Sequence, residues 1–197
     1  MSSQMVRVAM AAMFCSVALS AHVTAEEAAE LLAGTYQTAP FTRPAPDGRL
    51  AYVVMRFEFD GARNVVMAST FADEALAQPM FTYRSEGPVD IQGPSQRFAG
   101  GWDVISRNDT STVEIFVDAP AIWADLGLSA CPLQIGVPVE ISGCVDGGPF
   151  NIASCAEYDV LWLSEDGQSF KTGGGDVNRC EKPPEELGTI DYRRVGD

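Results

Sequence analysis

Histidine is almost missing from this chain: its 197 residues include one, His22. Basic residues are scarce too, 13 Lys and Arg against 27 Asp and Glu, for a formal net charge of −14. So acidic a chain offers no cationic cluster for phosphate backbones, and nucleic acid is not an expected partner. Electrostatic docking on anionic lipid is disfavoured on the same ground. No apolar run reaches the ~20 residues that a membrane-spanning helix needs. No CxxC pair exists, which argues against a thiolate metal site. The one glycine run, Gly173-Gly174-Gly175-Asp176, lacks the Lys-Ser/Thr of a phosphate loop and reads as a loose loop.

The single histidine lies in a segment with a character of its own. Residues 1–25 hold no acid, one base (Arg7), an apolar stretch from Val8 to Leu19, and small residues, Val23 and Ala25, flanking Thr24. That is the layout of a secretory signal peptide, cut after Ala25 or, alternatively, after Ala21. The expected mature chain, 26–197, is one domain exported to a periplasm or to the cell exterior, with no membrane span. It has no histidine, which removes Ser-His-Asp and Cys-His catalysis and His-ligated metals. Proton transfer would fall to carboxylates. No cofactor or metal is expected.

Cys131, Cys144, Cys155 and Cys180 remain, an even set that in an exported chain implies disulfides. Three pairings are possible. Loop closure favours the short loops, Cys131–Cys144 and Cys155–Cys180.

From Gly34 onward the chain reads as successive short strands parted by turns. Leu50 to Asp60 alternates, with Met55, Phe57 and Phe59 on one face and Arg56, Glu58 and Asp60 on the other. Asp60-Gly61 suits a hairpin turn. Asn64 to Ala72 returns with Val65, Met67 and Phe71 together, and Pro79 to Arg84 carries Phe81 and Tyr83. Gly87 reads as a turn before a short strand at Val89-Asp90-Ile91. Strands follow from Trp102, Thr112, Tyr158, Gln168 and Leu187, and helices are expected only briefly, at Glu26 to Ala33 and within Ala119 to Ala130. The fold class is therefore all-β: an antiparallel barrel or strongly curved sheet, lipocalin-like in outline, with a sandwich as the alternative.

Acid pairs such as Asp118/Asp125 or Asp159/Glu165 have the residue types of a glycosidase couple, but 27 acids produce such pairs by chance and they read as solvated charge. Asp146, Asp166 and Asp176 do not follow an EF-hand spacing. The stronger candidate is apolar. With the hairpins in register, Met55, Phe57, Phe59, Met67, Phe71, Phe81, Tyr83 and Trp102 project one way, as a pocket wall or as a solid core.

Gly34-Thr35-Tyr36, Arg43-Pro44-Ala45-Pro46, the strand from Tyr52 to Phe59, Phe71-Ala72-Asp73, Pro79 to Tyr83, Glu86-Gly87, Cys131-Pro132 and Glu157 to Leu163 follow one another in order. In that order the chain resembles the extracellular domain of the adenomatosis polyposis coli down-regulated 1 family of Wnt-signalling inhibitors, as a single copy without a membrane anchor. The resemblance implies a secreted barrel-like domain that takes an acyl chain in an apolar cavity, with Tyr36, Arg43, Pro44, Phe57 and Tyr83 at matching positions. Gly34-Thr35-Tyr36 is also similar to the strand-opening GxW of lipocalin-like barrels. The expected function is non-catalytic binding of a hydrophobic small molecule or an acylated partner. The alternatives are a protein–protein interaction module with a filled barrel and, third, a His-free carboxylate enzyme.

Overall fold

A computed structural model describes residues 24–45, 48–147, 150, 155–175 and 177–196. The segment expected to be a signal peptide thus lies outside the described residues except for Thr24 and Ala25. The elements run α1 (Ala25–Leu32), β1 (Gly34–Thr38), β2 (Phe41–Pro44), β3 (Leu50–Phe59), β4 (Arg63–Phe71), β5 (Pro79–Pro94), β6 (Gly101–Ser106) and β7 (Thr110–Ile115). Then come α2 (Pro120–Asp125), β8 (Val139–Glu140), β9 (Glu157–Leu163), β10 (Ser169–Gly174), β11 (Glu186–Leu187) and β12 (Tyr192–Arg194).

Eight strands close an antiparallel barrel in the order β1-β3-β4-β5-β6-β9-β10-β12 and back to β1. The other four extend it: β2 beside the start of β3, β7 beside the first half of β5 with β8 on its outer edge, and β11 beside the end of β10. Closure depends on β5, which is one strand of 16 residues rather than the two expected. Its first half pairs with β4 and β7, its second half with β6. Gly87 is not a turn. It sits within the strand because a Cβ there would collide with the carbonyl oxygen of Arg107.

One end of the barrel is capped by α1. Thr24 Oγ1 accepts from the Glu27 N–H at 3.2 Å, and the Glu27 carboxylate accepts from the Thr24 N–H at 2.7 Å, a capping box. The carboxylate therefore titrates below its ordinary range. Leu32 enters the barrel core, and its carbonyl accepts from the Tyr36 hydroxyl at 3.1 Å. Arg194 ties the cap down, donating to the Tyr36 hydroxyl at 2.6 Å and to the Ala33 carbonyl at 3.1 Å.

The core divides in two. Inside the barrel, Tyr36, Phe57, Phe170 and Tyr192 pack with Leu32, Phe59, Val89, Val104 and Leu161. The Phe170 ring lies 4.7 Å from Phe57, 5.1 Å from Tyr36 and 5.6 Å from Tyr192. A second cluster joins Phe81, Val113 and Ile115 to Ile122 and Trp123 of α2, Leu128, Cys131 and Ile141. Pro120 opens α2, where its missing N–H costs nothing. The Cys131–Cys144 and Cys155–Cys180 disulfides are both formed, as the loop lengths favour. The glycine run is not loose: Gly173 and Gly174 end β10, pair with β11, and leave Gly173 no room for a Cβ against Pro184.

Candidate functional site

The inner face of β3 carries Ala51, Val53, Met55, Phe57 and Phe59. Antiparallel register sets Thr70, Ala68 and Val66 of β4 opposite Val53, Met55 and Phe57. On β5, Phe81 and Tyr83 oppose Thr70 and Ala68, and on β2, Phe41 and Arg43 oppose Val53 and Ala51. At the capped end these inward positions are bulky and meet across the barrel. Toward the other end they shrink to Ala51, Val53, Ala68 and Thr70 and leave space.

That space is a cavity of about 260 Å³. Its walls are Ala51, Val53, Met55, Ala68, Thr70, Met80 and Phe81 from the strands, Ile122 and Leu126 from α2, and Phe150, with Arg43-Pro44-Ala45 at the rim. Met80 joins Phe81 in facing inward because the β4–β5 register slips between Thr70 and Phe71, so two β5 residues serve where one is expected.

Met55 forms the floor. The Tyr192 hydroxyl donates to its Sδ at 3.6 Å, joining the floor to the filled core. Burial pushes the Tyr192 pKa up to about 12, helped by the Asp159 charge and opposed by Arg43 and Arg179. Asp159 stands on β9, its carboxylate accepting from the Gly173 N–H at 2.8 Å and pairing with Arg179 at 2.6 Å. Arg179 also donates to the Gly173 carbonyl at 2.6 Å, and its neighbour Cys180 is held by the disulfide to Cys155. Burial pushes the Asp159 carboxyl above the ordinary range, and Arg179 works against it.

The acid pairs do not form a catalytic couple. Asp159 is the third residue of β9 and Glu165 lies beyond its end, roughly 20 Å apart at strand rise, against the ~5–10 Å that glycoside chemistry uses. Asp118 and Asp125 are exposed. Asp166 is committed to its turn, accepting from Ser164 Oγ and the Gln168 N–H, while Asp176 lies outside the described residues. Among the described residues no three His, Cys, Asp or Glu side chains gather to hold a metal.

The eight residues expected to share one face separate into four places. Met55 and Phe81 line the cavity. Phe57 and Phe59 are buried in the barrel core, with Trp102 packed against them. Tyr83 stacks on Phe150 at 4.8 Å between ring centres, beside the cavity. Met67 and Phe71 point outward, because their β3 partners are Arg56 and Tyr52. Each β4 strand face is internally consistent with the alternation read from sequence; what the alternation misjudges is which β4 face meets Phe57. The small residues Ala51, Val53, Ala68 and Thr70 give no signal of their own in sequence, yet they create the space.

No helix among the described residues is long and apolar enough to cross a membrane. A scan against protein-family models and a search of curated proteins both found no match.

Proposed function

We propose that this is an exported, non-catalytic binding protein whose cavity takes an apolar ligand, an acyl chain or an acylated group. The observation that carries the reading is the 260 Å³ space itself, walled almost wholly by apolar side chains and close to the size of small-molecule sites, which start near ~300 Å³. Each methylene moved out of water into such a space supplies roughly 0.8 kcal/mol before the costs of binding are met. The two disulfides and the leader-like N-terminal residues support export, and the Thr24 cap of α1 fits cleavage after Ala21 better than after Ala25. The resemblance to the adenomatosis polyposis coli down-regulated 1 domain supports the same ligand class.

A second reading is the protein–protein interaction module. It draws on the filled half of the barrel and on exposed apolar side chains at Leu50, Ile135 and Val137. One experiment separates the two. Native mass spectrometry of the purified protein, with titration of the uncharged dye N-phenyl-1-naphthylamine, should show a co-purified lipid-sized mass or saturable one-to-one dye binding. The absence of both signals defeats the cavity reading and favours the module.

A further inference from the structure

The cavity is apolar, but its rim carries a cation. Arg43 is the one charged side chain among the described residues that line it. Its register partner on β3 is Ala51, an inward position, so the strand pairing itself aims Arg43 across the opening. The guanidinium sits 5.5 Å from the centre of the Phe41 ring, and no carboxylate among the described residues pairs with it. Two other arginines stand nearby and both are engaged: Arg49, which lines a small hollow beside the cavity with Ala45, Ala51 and Met80, and Arg179, which is bound to Asp159 and to the Gly173 carbonyl.

Resting on the reading of the cavity as a ligand site, we infer that the ligand is a single-chain alkyl carboxylate, with its tail in the cavity and its head on Arg43. A guanidinium offers paired N–H donors that match a carboxylate in two-pronged geometry. One cation balances one negative charge. A dianionic phosphate head would leave a charge uncompensated on a protein already at −14. An alcohol or ester head would gain nothing from Arg43 that water does not already give it.

The test uses the whole protein and the neutral dye N-phenyl-1-naphthylamine as reporter, displaced by decanoate and by decanol at low ionic strength, where an exposed ion pair is least screened. Decanoate should displace the dye at about ten-fold lower concentration than decanol, equivalent to about 1.4 kcal/mol. In Arg43→Gln the preference, read as the ratio of decanoate to decanol displacement within that variant, should vanish or reverse. Arg43→Lys should keep part of it. Equal displacement by the two compounds, or a decanoate preference that survives Arg43→Gln, would overturn the head-group assignment and leave the cavity reading standing. If the unmodified protein binds no dye saturably, the cavity reading fails first and takes this inference with it.

Discussion

The two ends of the barrel are built from the same strands and differ in the size of the side chains turned inward. Along β3 the inward residues grow from Ala51 and Val53 through Met55 to Phe57 and Phe59. The exposures of Phe57 and Phe59, both 4%, show the large end to be sealed. There α1 and Arg194 close the barrel, and four aromatic rings fill it. At the other end α2 stands as one wall of an open space, and the far side is secured by an ion pair and a disulfide rather than by rings. An eight-stranded barrel is just wide enough either to be filled by its own side chains or to hold one small ligand. This barrel does both, and residue volume along one face decides which.

The largest effect should come from emptying the filled end. Phe57→Ala is expected to cost about 3–5 kcal/mol, because the ring is packed against Phe170 and Tyr192 and its loss leaves a void. Val53→Ala, two inward positions away and already beside space, should cost about 1 kcal/mol. Urea unfolding midpoints compare them. Equal losses would mean that side-chain size does not divide the two ends.

Next in size is the ion pair behind the cavity floor. Arg179→Ala should destabilise by about 3 kcal/mol at neutral pH, since Asp159 would be left mostly buried without its partner. Asp159 already titrates above its ordinary range, and losing Arg179 raises it further. The folded state then holds a proton that the unfolded chain has released, so folding loses stability as pH rises through that interval. The deficit should be full at pH 7 and shrink as the pH is lowered toward about 4. Unfolding curves at both pH values check this. A deficit that does not change with pH would show that the Asp159 charge is not its cause.

Much of the frame was legible in the sequence, for local reasons. Alternation at Leu50 to Asp60 and the Asp60-Gly61 turn mark a hairpin that depends on neighbours in the chain. The cysteine pairing followed from loop length. The barrel's closure was less visible, since it turns on Gly87 lying within β5, and a glycine that admits a close backbone reads the same as a glycine that makes a turn. The eight side chains singled out in the sequence do not stay together, for a different reason. Bulky residues draw the eye as pocket walls, but Phe57 and Phe59 fill space, whereas Ala51, Ala68 and Thr70 leave it. Register across a hairpin also has to be known before Met67 and Phe71 can be assigned to a face, and a one-residue offset exchanges the faces entirely.

Ala68 and Val66 offer the most direct test, because they are two residues apart on β4 and face the same way. Val66 lies against the filled core beside Phe57, and Ala68 lines the cavity. Val66→Phe should overpack the core and cost about 1–3 kcal/mol, with dye binding kept at temperatures where the variant is folded. Ala68→Phe should cost less than about 1 kcal/mol, because the ring enters existing space, and it should abolish binding of N-phenyl-1-naphthylamine. The account predicts that crossed pattern in the unfolding midpoints and binding titrations of the two variants. Equal destabilisation by both, with dye binding untouched by Ala68→Phe, would contradict it.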